Sequence, residues 1–417
     1  MKLQTGRTEE TLPNKEAYTP SEAVAEADRC LYCTDAPCIK ACPTSIDIPT
    51  FIKKIASGNV RGSARTILEQ NLLGYSCSRV CPVEVLCVGA CVYTGWGRDP
   101  IQIGKLQRHA TEAVLHEKGL HALYTPKARN GKRVACIGAG PASLAFAGYL
   151  ALEGTEAIIF EKRPVPGGLN TTGVAPYKLK SDDSLREVQW ILDLGVEVRT
   201  GVEAHGAALA EVYDAVFIGV GLGDDSKLGV PGEEGPGVVG AVDWIEQMKL
   251  GTARAGERVL VIGGGNTAID VARECALLGS SDVALVYRRT KKDMSGYVHE
   301  MLAAREEGVH LIESSVVTGF VRDGHRLVGA IVKTGEIERE IPCDLVVIAI
   351  GQSKLRTIAE ELSVTLDKRG CVVVDGSGRT SNPKVFAGGD CVNGGKEVVN
   401  AVADGRNAAR HLLKEWA

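Results

Sequence analysis

RVACIGAGPASLA, residues 133–145, decides the fold. A short apolar run, Arg133–Ile137, leads into Gly138-Ala139-Gly140, and an alanine- and leucine-rich stretch follows from Pro141 to Glu153. That order predicts a buried strand, a tight glycine turn and a helix. Gly138 permits the turn. Gly140 lets backbone approach a pyrophosphate, and the helix amides and dipole complete an anion site. The third fingerprint position is Ser143 rather than glycine, which weakens the motif taken alone. Ala157–Glu161 reads as the next strand, and Glu161, 23 residues after Gly138, is placed to accept from ribose hydroxyls.

The pattern recurs 125 residues later in RVLVIGGGNTAID, residues 258–270. Arg258–Ile262 is the strand, Gly263, Gly265 and Ala268 take the fingerprint positions, Asn266–Gly279 is the helix and Asp282–Tyr287 the next strand. The acid that selects NAD is expected about 20 residues on, but the chain there reads LVYRR, residues 285–289. Arg288 and Arg289 offer positive charge, which suits a 2′-phosphate and leans towards NADPH. The alternative is that Arg288 stacks on adenine and reads no phosphate. Two further pieces belong to the first fingerprint. KRPVPGGLN, residues 162–170, lets backbone pass close to a dinucleotide at Gly167 and Gly168. VFAGGDCVNGG, residues 385–395, sets Asp390 after a strand and two glycines, where it can bond a ribityl hydroxyl. These pieces together fit a flavoprotein binding FAD and a nicotinamide dinucleotide better than a plain Rossmann domain. The second unit lies between parts of the first, so a nicotinamide domain inserted into a flavin domain is expected, with hydride passing to the flavin where the two rings meet.

Ahead of both sits RCLYCTDAPCIKACP, residues 29–43, with cysteine spacing C-x2-C-x4-C-x3-C, and then CSRVCPVEVLCVGAC, residues 77–91. Eight of 13 cysteines fall between Cys30 and Cys91. Cytosolic thiols stay reduced, so the eight read as metal ligands and Cys136, Cys275, Cys343, Cys371 and Cys391 as small buried residues. Zinc on four thiolates is one reading. A run ending C-x3-C-P resembles the ferredoxin type, and redox sites downstream give iron–sulfur clusters a purpose, so two 4Fe–4S clusters are preferred. The five later cysteines form no C-x2-C or C-x4-C pair, which argues against disulfide reduction and leaves the N-terminal clusters as the exit for single electrons.

The totals agree. With 417 residues and 44% hydrophobic residues the chain can build two or three domains. A net charge of −4 argues against nucleic acid as a partner. The polar first twenty residues predict no secretion signal, and no apolar run reaches the roughly 20 residues of a membrane span, so a cytoplasmic protein with no membrane contact is expected. Thr19, Pro20 and Glu22 read as a capped helix start. Residues 48–52, Ser63–Gln70 and Glu397–Glu415 read as further helices, 116–132 as a linker, and no strand is expected before residue 130. The fold class expected is α+β multidomain: an N-terminal helical iron–sulfur domain over 1–125, then two-dinucleotide-binding, Rossmann-like flavoprotein domains, with FAD on 131–247 and 341–417 and NAD(P)H on 248–340.

RCLYCTDAPCIKACP, CPVEVLCVGAC, GAGPASLA, GGGNTAID and VFAGGD, in this order, resemble the N-terminal half of dihydropyrimidine dehydrogenase and the small subunit of glutamate synthase. DAPC, CPTSIDI, LCVGAC and IGKLQ look closer to the former, in particular to the flavin/iron–sulfur subunit of its bacterial two-subunit, NAD-dependent form. The resemblance implies one cluster on Cys30, Cys33, Cys38 and Cys91, and a second on Cys42, Cys81, Cys87 and Gln107. Spacing alone would take Cys77 as the eighth ligand. It implies flavin contacts at Gly140, Pro141, Ala142, Ser143, Leu144, Glu161 to Gly167, Gly168 and Leu169, Lys178, and Gly388, Gly389 and Asp390. Nicotinamide contacts are implied at Gly264, Gly265, Asn266, Thr267, Arg288, Arg289, and Ala349 to Gly351. Without the resemblance Lys178 reads equally well as a solvated surface lysine. The NADPH-using long form has a further arginine seven residues past Arg288. Here that position is Ser295, which with the resemblance tips the expectation to NADH. The family reduces uracil or thymine at an FMN site in a (β/α)8 barrel, which needs about 250 residues. None remain here, so an FMN-containing pyrimidine-reducing partner subunit, in a heterotetramer, is expected. Glutamate synthase small subunit or NAD(P)H–ferredoxin oxidoreductase is the alternative, and a non-catalytic zinc and nucleotide-binding module the third reading. No catalytic side chain is singled out.

Overall fold

The computed structural model describes residues 16–115 and 123–417. The polar lead-in before residue 16 and the first part of the expected linker, 116–122, lie outside the described residues. The helices α1 (Pro20–Asp28), α2 (Pro37–Ala41), α3 (Ile48–Ala56), α4 (Val60–Leu68), α5 (Gly74–Val80), α6 (Val92–Gly95) and α7 (Ile103–Leu115) come first. Three of the starts have a side-chain cap. Thr19 closes a full capping box with Glu22 ahead of Pro20. Asp47 accepts from Thr50 N–H and Asn59 from Gly62 N–H, and the Asn59 cap starts α4 three residues before the expected Ser63. On α3, Ile48, Phe51, Ile52 and Ile55 are buried at helical spacing. Each stabilises the core by about 1.5–3 kcal/mol relative to exposure.

The chain then runs β1 (Arg133–Ile137), α8 (Pro141–Leu152), β2 (Glu156–Glu161), α9 (Leu169–Thr172), α10 (Ser181–Leu192), β3 (Glu197–Thr200), α11 (Gly206–Val212) and β4 (Ala215–Ile218). Next come β5 (Val238–Gly240), α12 (Ala241–Lys249), β6 (Arg258–Ile262), α13 (Asn266–Leu277), β7 (Asp282–Val286), α14 (Val298–Glu306), β8 (His310–Ile312), β9 (Ser315–Asp323), β10 (Arg326–Thr334), β11 (Ile337–Pro342) and β12 (Leu345–Ile348). The last elements are α15 (Thr357–Glu361), β13 (Val385–Ala387), α16 (Asp390–Asn393) and α17 (Val398–Trp416). One parallel sheet has the order β13-β4-β1-β2-β3 and another β5-β12-β6-β7-β8. In both, the strand before the glycine turn is central and the chain order reverses beside it, which is where open α/β sheets bind ligands. The antiparallel trio β11-β10-β9 forms a third sheet.

Two compact units result. One contains 16–171, Lys178–Leu222 and Lys354–Ala417, so the cysteine-rich helices and the first sheet share a unit. The other contains Thr172–Tyr177 and Gly223–Ser353. It is wider than the 248–340 expected for the nicotinamide domain. The reason is pairing: Leu345–Ile348 hydrogen-bonds as β12 onto β6, and Val238–Gly240 as β5 onto β12, both stretches being placed by the sequence reading in the flavin domain. Thr172, which ends α9, and the five residues after it also belong to this second unit. There the Tyr177 hydroxyl donates to Asp270 Oδ1 at 2.9 Å, and the Arg273 guanidinium lies 4.8 Å from the Tyr177 ring centre.

Candidate cofactor sites

In the first unit three separated stretches meet at the N-terminus of α8. Gly138 has φ +87°, and a Cβ there would sit 2.7 Å from Gly219 O. Only glycine fits that turn. Gly140 caps α8, and a Cβ on it would meet only Gly219 O at 3.6 Å, so one side of the turn is open. Gly167 N–H donates to Ala139 O at 2.9 Å, and Gly168 passes so close that its Cβ would lie 2.9 Å from Gly140 Cα. Leu169 opens α9 directly after. Gly389, with φ +78°, abuts Ala142, and its N–H donates to Asp404 Oδ2 at 2.9 Å. Pro141 holds the first helical position and Leu144 is buried. Ser143 is buried too, and its Oγ finds no hydrogen-bond partner, while a Cβ on Gly219 would come within 2.1 Å of it. Asp390 starts α16; burial raises its pKa, opposed by the Lys396 N–H and the Lys354 charge. Glu161 accepts from Ala139 N–H at 2.7 Å and from Arg163 N–H at 2.8 Å, so its carboxylate braces the turn. Lys178 is 8% exposed and not a solvated surface lysine. A cradle closed by glycines, open on one side and walled by α8 amides, fits a flavin dinucleotide.

The second unit repeats the device. Gly263 has φ +151°, and a Cβ there would meet Ala349 O at 2.3 Å, so Ala349 walls the turn. Gly264 lies under the Tyr287 ring, 2.4 Å from where its Cβ would be, and Gly265 caps α13. Asn266 is first on α13 and its Oδ1 accepts from Tyr297 N–H at 2.8 Å, with Thr267 next. Arg288 and Arg289 are exposed past β7, with Arg289 5.7 Å over Tyr287. Gly351, φ +117°, follows β12. Ser295 Oγ would be 3.6 Å from a Cβ on Gly265, so the segment carrying it lies against the turn.

Cys30, Cys33, Cys38 and Cys91 line one cavity, floored by Ile48, Ile52 and other apolar groups. Burial and then the neighbouring Cys30 and Cys91 push the Cys38 thiol up to about 12. Burial and the charges of Cys33 and Cys91 raise Cys30. Crowded thiols of this kind become thiolates only with a cation among them. Among the described residues no three His, Cys, Asp or Glu side chains are placed to hold a single metal ion. Cys42, Cys81 and Cys87 pack, partly buried, against the same core. Cys77 differs from the other seven in being 1% exposed within α5. Gln107, buried on α7, donates Nε2–H to Gly74 O at 2.7 Å. Its amide nitrogen is thereby committed, and its carbonyl oxygen is the atom left for a metal.

The sequence reading missed Glu187 and Arg406, because each is one charge among several in an amphipathic helix with no motif around it. Glu187 on α10 is fully buried and accepts from the N–H groups of Tyr75 and Ser76 at the start of α5, at 2.8 and 3.1 Å.

Comparison with known proteins agrees with this construction. The family described as dihydropyrimidine dehydrogenase domain II, 4Fe-4S cluster, matches residues 7–119, and pyridine nucleotide-disulphide oxidoreductase matches 132–405. The chain is 33% identical to the glutamate synthase [NADPH] small chain of Escherichia coli K12, covering 95% of this chain and 92% of that one. It is 35% identical to the NAD-dependent dihydropyrimidine dehydrogenase subunit PreT of the same organism, covering 95% of each. Thioredoxin reductase of T. acidophilum superposes with a TM-score of 0.57 at 25% identity over 68% of this chain and 98% of its own. The chain belongs to the pyridine nucleotide-disulphide oxidoreductase family, in the branch shared by glutamate synthase small chains and PreT subunits. It is an oxidoreductase, a flavoprotein whose cofactors are FAD, a nicotinamide dinucleotide and 4Fe–4S clusters. Among the described residues no helix is long and apolar enough to cross a membrane.

Proposed function

We propose that this chain is the electron-input subunit of an NAD-dependent dihydropyrimidine dehydrogenase, carrying reducing equivalents from NADH to a partner subunit whose FMN site reduces uracil or thymine to the 5,6-dihydropyrimidine. The observation that carries this reading is the shared unit: the flavin cradle at α8 and the half-buried cysteines fold as one body. Bound there, FAD supplies exchange between hydride and single electrons, and 4Fe–4S clusters supply one-electron carriers.

The residues divide the work. The amides of α8 hold the dinucleotide phosphates, and Glu161 fixes the turn that presents them. Asp390 and Lys178 contact the flavin half, while Gly263, Gly264, Gly265, Asn266 and Thr267 hold NADH. The clusters take Cys30, Cys33, Cys38 and Cys91, then Cys42, Cys81, Cys87 and the Gln107 oxygen. Ser295, uncharged beside the second turn where the NADPH-using long form carries an arginine, favours NADH and outweighs the pull of the exposed Arg288 and Arg289 towards a 2′-phosphate; kcat/KM with a dye acceptor is expected to be higher for NADH than for NADPH. The six other cysteines, Cys77 included, are buried, which favours the iron–sulfur exit over thiol chemistry.

A second reading, glutamate synthase small chain or a similar NAD(P)H–ferredoxin oxidoreductase, is supported by the 33% identity over nearly the whole chain. Anaerobic copurification decides between them. A barrel partner and uracil-dependent NADH oxidation support the first reading; an amidotransferase partner and glutamine-dependent turnover would sink it.

A further inference from the structure

Arg406, on α17, is 5% exposed. Its Nη1 donates to Thr44 O, and to Gln70 O and Gln70 Oε1 at 3.0 Å. Its Nε and Nη2 donate to Asn407 Oδ1 at 3.3 and 3.0 Å. Every acceptor is neutral, and among the described residues no carboxylate pairs with this guanidinium. A buried charge without a counter-charge is costly. The like-charged Arg410 also reaches Gln70 Oε1, at 3.2 Å, and makes matters worse. Among the described residues, Tyr149 and Cys42 are the groups able to carry negative charge whose field reaches Arg406. Tyr149 is itself buried, with its pKa raised by that burial and its hydroxyl donating to Leu68 O and Glu69 O, so it stays neutral. That leaves Cys42, whose Sγ lies 3.3 Å from Thr44 Oγ1 in the very loop Arg406 holds. Two residues earlier on α17, Asp404 accepts from Gly389 N–H in the flavin turn. One turn of one helix thus touches both the flavin cradle and the Cys42 loop.

We propose that Arg406 is the counter-charge of the cluster ligated by Cys42, and that it raises that cluster's reduction potential so that it draws electrons from the flavin. The proposal rests on the cluster assignment given above. Reduction adds one negative charge to the cluster with no bond made or broken, the electron coming from NADH by way of the flavin. A fixed positive charge beside it favours that reduced state, since cluster potentials follow net charge and surroundings. Arg406 acts here as a positioning residue for charge and touches no reacting atom.

The test uses the full chain purified without air, with iron, sulfide and flavin counted, followed by a redox titration read by electron paramagnetic resonance. In Arg406→Gln one of the two midpoints falls while the other stays. The drop corresponds to about a tenfold lower reduced-to-oxidised ratio at fixed potential, or roughly 59 mV for one electron. In Arg406→Lys, which keeps the charge but loses the forked hydrogen bonds, the midpoint stays near the wild-type value. Should the glutamine variant not accumulate, Arg406→Met serves as the neutral variant, with the same fall in one midpoint expected and an unchanged pair of midpoints overturning the proposal. Midpoints unchanged in the glutamine variant, or a lysine variant displaced as far as glutamine, overturn the proposal. A wild-type protein without iron and sulfide overturns instead the cluster reading on which it stands.

Discussion

At the scale of single residues, steric tests separate binding from support. Gly138 adopts φ +87° with Gly219 O where a Cβ would be. Gly138→Ala adds about 1–3 kcal/mol of backbone strain and pushes the turn away from the α8 amides. The expected result is protein that folds but loses most of its flavin, read as the ratio of absorbance at visible and ultraviolet wavelengths. The eighth cluster ligand is a second such test. Gln107 has its amide nitrogen tied to Gly74 O, and Cys77 is sealed inside α5. Gln107→Ala is expected to lower the iron content by about one cluster per chain, and Cys77→Ala to leave it unchanged. The reverse pattern would restore the ligand that spacing alone selects. Neither outcome is visible from sequence, because the choice depends on which way an amide faces and how deep a thiol lies.

At the scale of elements, Glu187 ties α10 to the first turn of α5. Burial pushes its carboxyl up to about 7, against hydrogen bonds from Ser76 and Tyr75 that lower it. The folded value lies above the unfolded one near 4.5, so the native state holds the proton more tightly. Its contribution to stability is complete below about pH 4.5, is lost as pH rises through 7, and is flat beyond, an effect on the order of 3 kcal/mol. Glu187→Gln, lacking one acceptor, starts less stable by about 1–2 kcal/mol in acid, and its deficit should shrink between pH 5 and 7.5 when the two Tm values are compared. A constant gap would refute the linkage. The same scale shows what sequence could reveal. Strands β1 and β6 were legible to the residue because an apolar run, a glycine turn and a helix are all local signals. Strand β5 is three residues long and pairs with β12, about a hundred residues away in the chain, so no local signal joined either to β6. The capping box at Thr19 was legible, whereas the burial of Lys178 was not, because Lys178-Leu179-Lys180 reads as a solvated segment until tertiary packing covers it.

At the scale of the whole molecule, the proposed function divides nicotinamide binding from flavin and cluster binding between the two units, and the chemistry expected of the chain alone follows from that proposal. The second unit offers a nicotinamide cradle, and the first a flavin cradle with cysteines around a cavity. Small dyes can take electrons from a flavin or cluster without a shaped site, so NADH oxidation with an artificial acceptor is expected from this chain by itself. Reduction of a pyrimidine ring needs hydride delivered to one carbon and a proton to its neighbour, with the ring held still. The proposed division assigns that site to the FMN partner. Anaerobic protein given NADH and uracil should therefore leave uracil absorbance unchanged over many dye turnovers, and should consume it once the partner is added. Losing one cluster through Cys38→Ser should abolish the coupled reaction, because every electron must cross the iron. Flavin reduction by NADH should persist in that variant, since hydride reaches the flavin before any cluster is involved. Uracil consumed by the chain alone, or coupled turnover surviving Cys38→Ser, would show that the electrons take another road.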